Sequence, residues 1–158
     1  MKNTETQNKK MTKEELVKFL VANFKNEYGY LDLSGLDFTK EDISNILFNH
    51  IKVNGNLHQD NQKVNGDLYQ DNQEVEGDLY QELQKVKGSL HQGQQQVEKH
   101  LYQNEQEVKE NLWQSRQEVK GNLWQSRQKV KENLFQDNQN VEKNLVQSHQ
   151  NCKGEIYS

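Results

Sequence analysis

The chain has 158 residues, of which 31% are hydrophobic and 28% charged, with a net charge of -4 and a mean hydropathy of -1.20. That polarity excludes one conventional apolar core, and the acidic balance disfavours nonspecific attraction to nucleic acid or an anionic membrane. The single cysteine, Cys152, excludes an internal disulfide and CxxC redox or metal motifs, and no apolar run reaches signal-peptide or membrane-span length, so cytoplasm is the default compartment.

In chain order, residues 1–11 are polar and read as a disordered tail. Thr12 and Glu15 then have the spacing of a capping box, and Leu16, Phe19, Leu20 and Phe24 share one helical face. This predicts an amphipathic helix within residues 12–29. It is expected to cover the open end of the array that follows, with a partner-binding helix as the alternative.

Residues 30–52 change period. Apolar residues recur every fifth position at Leu33, Phe38, Ile43 and Phe48 and run into Val53, with Asp32, Asp37 and Asp42 just before the first three and Leu47 and Lys52 before the last two. The pattern resembles the pentapeptide-repeat motif, and the resemblance covers about one coil. It implies a right-handed quadrilateral β-helix in which the central Leu or Phe points inward.

From Val53 to the end of residues 53–158 the spacing becomes 11. Copies start at Val53, Val64, Val75, Val86, Val97, Val108, Val119, Val130, Val141 and, truncated, Cys152. Each reads approximately V-x-[GKE]-[ND]-L-aromatic-Q-x-x-Q-x, with Gln at the seventh and tenth positions of every complete copy. An 11-residue period also suits a right-handed α-helical supercoil. On a helix, however, the Val and Leu seam is thin, the aromatic position falls off it, and Gly55, Gly66, Gly77, Gly88 and Gly121 would each cost about 0.5–1 kcal/mol relative to Ala.

An all-β repeat solenoid accounts for the same residues better. Val and Leu fill the interior, Gln side chains stack as amide ladders between coils, and Gly-Asn or Gly-Asp steps are expected to carry a left-handed corner. One 11-residue coil encloses almost no core, so two copies per coil, 22 residues, are expected. Leu79, Leu101 and Leu123 should then be buried, Glu76, Glu98 and Lys120 exposed, and Cys152 a buried apolar residue in place of Val.

Two residue sets are candidate binding elements. The sixth position is aromatic at Tyr69, Tyr80, Tyr102, Trp113, Trp124 and Phe135, with His58 and His91 among them; two copies per coil split these into two ladders, which stack on each other or on sugar rings and bases. Asp60, Asp67, Asp71, Glu74, Glu76, Asp78 and Glu82 form an acidic run against Lys63 alone. On a rigid rod such a band imitates nucleic-acid phosphates, or simply solvates the surface.

The five histidines share no ligand spacing, no Ser, His and Asp converge in a catalytic motif, and no cofactor or metal motif is present, so a non-enzyme is expected. LDLSGLDF followed by V-x-G-[ND]-L-Y-Q-x-x-Q copies also resembles small repeat proteins of Gram-positive bacteria and their phages. That resemblance implies a host protein as partner, a defence factor or DNA-binding protein, because some pentapeptide-repeat proteins mimic DNA. A glycan or nucleic-acid binder and a self-assembling homo-oligomer are the alternatives, and no membrane partner is expected.

Overall fold

The structure, a computed structural model, describes residues 30–39 and 45–158; the helix expected within residues 12–29, and Ile43, lie outside them. Each 11-residue copy contributes two short strands, one around its Val and one beginning at its Leu, as in Glu74–Val75 and Leu79–Tyr80. A strand of two residues does not hold on its own and needs neighbours to pair with. Pairing comes from the chain one coil away: Leu57 lies opposite Leu79, which lies opposite Leu101, in parallel register.

The register step is therefore 22 residues, and two copies make one coil of a right-handed parallel β-solenoid of about six turns. No helix occurs among the described residues. Four sheets wall the rod. Sheet I carries Val53, Val75, Val97, Val119 and Val141; sheet II carries Leu31, Leu57, Leu79, Leu101, Leu123 and Leu145. Sheet III carries Val64, Val86, Val108, Val130 and Cys152; sheet IV carries Ile46, Leu68, Leu90, Leu112, Leu134 and Ile156. The chain visits I, II, III and IV in turn, so I faces away from III and II away from IV.

The five-residue segment fits this frame, consistent with a pentapeptide-repeat-like β-helix. Leu33, Phe38, Phe48 and Val53 are buried. The first coil is longer than the others, because Asp37 pairs with Lys63, 26 residues on, while Ile46 pairs with Leu68, 22 on. Four extra residues thus fall between Asp37 and Ile46.

The interior is half hydrocarbon and half amide. Leu79, Leu101 and Leu123 are fully buried, and so are the seventh- and tenth-position glutamines such as Gln81 and Gln84. A buried amide needs partners. Gln81 Nε2 donates to Gln59 Oε1 one coil away at 3.0 Å and to Gln73 Oε1 across the interior at 3.1 Å, and Gln84 Nε2 donates to the Gln59 carbonyl at 2.8 Å. These bonds recur along the rod, so a chain poor in apolar residues still closes a satisfied core. The amide column begins where the first coil's apolar filling ends: Leu33 precedes Gln59 in its column, and Gln59 Nε2 is the one buried side-chain donor among the described residues with no partner.

The corners differ from expectation. Left-handed backbone falls on the ninth position, at Asn61, Asn72, Leu83, Gln94, Glu105, Arg116, Arg127, Asn138 and His149, with φ between 52° and 56°. It does not fall on the repeated glycines. Gly77, Gly88 and Gly121 serve close approach: a Cβ on Gly121 would lie 2.3 Å from the Lys99 carbonyl oxygen. Gly77, Gly88 and Gly121 reach the coil beside them with N–H···O distances of 3.0, 3.0 and 2.7 Å, whereas Glu110, Glu132 and Lys143 at the same position stretch to 3.3 Å.

The Asn or Asp after the glycine builds a second ladder, its side chain accepting the backbone N–H one coil on. Asp78 donates its N–H to Asn56 at 2.9 Å and Asn133 to Asn111 at 3.0 Å. Cys152 is half-buried rather than buried, because it sits in the final coil, covered on one side only by the coil of Val130.

Candidate functional site

The aromatic residues divide between opposite faces. Sheet II stacks His58, Tyr80, Tyr102 and Trp124 with ring centroids 4.2, 4.7 and 4.6 Å apart. Sheet IV stacks Tyr69, His91, Trp113, Phe135 and Tyr157 at 4.4, 4.4, 5.3 and 4.8 Å. Interplanar angles of 0–15° mean that each inner ring has both faces against its neighbours. Edges are left for solvent, whereas a sugar or base stacks on ring faces.

Several rings are tied to acids beside them. Tyr69 Oη donates to Asp67 at 3.2 Å and Tyr80 Oη to Asp78 at 3.5 Å. Burial first, and then Asp78, pushes the Tyr80 hydroxyl up to about 12. Burial between Tyr69 and Trp113 holds the His91 imidazole below its ordinary value, against the pull of Asp71 and Asp67.

The acidic run extends from Asp60 to Glu82, 22 residues, which is one coil. It becomes a belt around the rod rather than a patch on one face. Asp60 and Glu82 share the corner between sheets II and III, and Asp71 sits at the corner between IV and I. Asp67 leads into sheet IV, Asp78 leads into sheet II, and Glu74 and Glu76 stand exposed on sheet I.

Most of these carboxylates serve the fold. Asp67, Asp71 and Asp78 are half-buried and accept the backbone N–H of Ser89, Gly93 and His100 at 2.8, 2.7 and 3.0 Å. Asp60 does the same for Glu82 at 2.7 Å. Burial raises Asp60 and Asp71 above the ordinary aspartate value despite these bonds, and Glu82 is likewise raised by burial.

Exposed charge on the two valine sheets is sorted by sign. On sheet III, Lys63, Lys85, Lys129, Lys87, Lys109, Lys131 and Lys153 are exposed with Glu107 the one acid among the strand-flanking positions. Lys63 meets Asp37 at 3.6 Å, and none of the other six pairs with an acid among the described residues. On sheet I the matching positions hold Glu74, Glu76, Glu98, Glu118 and Glu142 with Lys52 and Lys120. Lys52 pairs with Glu74 at 2.7 Å and Lys120 with Glu98 at 2.5 Å.

At the corners the signs reverse: Glu110 and Glu132 border the lysine face, Lys99 and Lys143 the glutamate face. Odd and even copies thus carry opposite charge on opposite walls, hidden within a net charge of -4. Linear sequence interleaves the two sets, so only separating odd from even copies at the second and eleventh positions reveals them.

An open groove of about 410 Å³ follows the corner between sheets II and III past Glu82, Asn104, Trp124, Ser126 and Ser148. The Arg127–Glu105 ion pair at 3.1 Å lies along it. No group of three or more His, Cys, Asp or Glu placed to hold a metal occurs among the described residues, and no helix there is long and apolar enough to cross a membrane. No protein-family model, curated protein or solved structure matches the chain.

Proposed function

We propose that this is a non-enzymatic protein-binding solenoid, encoded by a phage or mobile element, that docks on a host defence or DNA-binding protein in the bacterial cytoplasm and inhibits it. The observation that carries the reading is the glutamate face of sheet I. Glu76, Glu98 and Glu142 project in one row, with Lys120 between the last two, and Glu74 and Glu118 in a second that begins at Lys52. Coils repeat at about 4.8 Å along the rod and the two rows stand about 6.6 Å apart, so neighbouring glutamates such as Glu74, Glu76 and Glu98 are roughly 5–7 Å apart at the backbone, which supports partial DNA mimicry. The pentapeptide-like first coil agrees with it. The mimicking surface is this wall and not the belt, whose aspartates are spent on backbone hydrogen bonds.

The test is competition. A partner captured by the wild-type rod should be displaced by duplex DNA, and Glu76→Lys, Glu98→Lys, Glu118→Lys and Glu142→Lys together should abolish its capture. Capture that is indifferent to both would sink the mimicry. The aromatic-ladder reading, a binder of glycan or nucleic acid, is weaker because the inner rings already stack on one another.

A further inference from the structure

We infer that the lysine face of sheet III binds the glutamate face of sheet I on a second copy of this chain, so that rods associate side by side. This goes beyond the proposed partner and does not depend on it. Two observations carry it: the charges are complementary, and they are presented at one pitch. Lys87, Lys109, Lys131 and Lys153 follow one another coil by coil on one wall, and on the opposite wall the equivalent row holds Glu76, Glu98 and Glu142, with Lys120 in the coil between the last two.

Whatever the rise per coil, the two walls share it, because they belong to the same coils. Bringing one lysine opposite one glutamate therefore aligns the other glutamates of the row with lysines, leaving one like-charge position at Lys120, which Glu98 already holds at 2.5 Å. An extended polyanion such as single-stranded nucleic acid would answer the lysine wall alone, whereas a second copy answers both walls at once.

Geometry then sets the kind of assembly. Because the walls are opposite each other, joining sheet III of one rod to sheet I of the next leaves one free wall of each sign at the ends. The contact is heterologous and does not close. Five coils give a wall about 24 Å long, and a strip of that length by about 10 Å buries roughly 500 Å² over both partners, below the ~1,200 Å² at which stable interfaces begin. Exposed ion pairs are individually weak and screened by salt. The association is thus reversible, grows with concentration and is lost at high ionic strength; it is not a fixed dimer.

The experiment is sedimentation of the purified full chain in about 20 mM and about 500 mM salt, where screening is weak and strong respectively. It is run beside two variants. One reverses the lysine wall (Lys85→Glu, Lys87→Glu, Lys109→Glu, Lys131→Glu), the other the glutamate wall (Glu76→Lys, Glu98→Lys, Glu118→Lys, Glu142→Lys), with circular dichroism to verify the fold. Should the lysine reversal unfold the rod, the neutral set Lys87→Gln, Lys109→Gln and Lys131→Gln replaces it and should weaken association too.

The wild type should show rising mass with concentration at low salt only. Each variant alone should lose association by about tenfold or more, and an equimolar mixture of the two should restore it, because only complementary walls then meet. A mixture that stays monomeric overturns the inference. So does wild-type association that persists in high salt, which moves the contact to the apolar end of the last coil at Leu145 and Ile156. A wild-type rod that stays monomeric at low salt while binding a single-stranded oligonucleotide overturns it as well and assigns the lysine wall to a polyanion.

Discussion

Gln81 and Gln59 lie one coil apart and are joined by an amide–amide hydrogen bond of 3.0 Å, yet the two are not equivalent, since Gln81 Nε2 has two acceptors and Gln59 Nε2 has none. The difference predicts unequal cost for one substitution. Gln103→Leu removes bonds with Gln81, Gln95, Gln117 and Gln125 and should destabilise the rod by about 2 kcal/mol, each net bond contributing about 0.5–1.5 kcal/mol. Gln59→Leu loses one bond but removes an orphaned donor, so its effect should stay within about 1 kcal/mol. Thermal unfolding of the two variants checks this; equal losses would show that the amide columns do not hold the core as described.

The belt aspartates should behave as structural acceptors. Asp67→Asn, Asp71→Asn and Asp78→Asn keep an oxygen for the backbone N–H one coil on and should leave the melting curve nearly unchanged. Lys at the same three sites removes it and should cost roughly 1–2 kcal/mol each. Chemical denaturation of the two triple variants separates the cases, and a Lys triple as stable as the wild type would return these residues to the role of free surface charge.

Leu83 occupies left-handed backbone at φ 56° with its side chain exposed. Asn61, Asn72 and Asn138 hold the same corner position at φ 55–56°. Because Asn tolerates this region better than a branched apolar residue, Leu83→Asn should stabilise the rod by about 0.5–1 kcal/mol. A lower melting temperature for the variant would mean that Leu83 makes a contact outweighing the strain.

His91 gives the fold a pH dependence whose sign follows from burial. Its value in the fold is below the ordinary 6.5, so the unfolded chain binds the proton more readily. Above pH 6.5 the group is neutral in both states and contributes no slope; as pH falls from there toward the folded value, stability is lost. Asp60, Asp71 and Glu82, raised by burial, act in the opposite sense: their contribution is present at low pH and is lost as pH rises through their folded values. His91→Tyr keeps the stack and removes only the first effect. Melting temperature measured below pH 6.5 should therefore fall less steeply in the variant than in the wild type, and identical slopes would contradict a half-buried His91 that resists protonation between Tyr69 and Trp113.

The repeat made much of this legible. Register, two copies per coil, the inward leucines and the glutamine ladders follow from uniform positions, and Leu79, Leu101 and Leu123 lie where periodicity puts them. The corner was not legible, because the ninth position mixes Asn61 with Leu83, Glu105 and Arg127 and has no common turn chemistry. Glycine, the stronger turn signal, answers a different demand at Gly77 and Gly121, where a neighbouring backbone leaves no room for a Cβ. The acidic run was visible but its shape was not: a cluster one coil long in sequence is a belt in space, and the sorted valine walls emerge only after odd and even copies are folded apart.

Two copies per coil is the claim on which both valine walls, both aromatic ladders and the belt depend, and engineered disulfides test it directly. In a Cys152→Ser background, Glu74→Cys with Gln96→Cys places the thiols on register partners of sheet I, about 4.8 Å apart between Cα atoms and within the range a disulfide spans. Glu74→Cys with Lys85→Cys places them one copy apart, on the opposite walls of sheets I and III. Mild oxidation should crosslink the 22-residue pair rapidly within one chain and leave the 11-residue pair as free thiols. Rapid intramolecular crosslinking of the 11-residue pair instead would show one copy per coil and contradict the architecture.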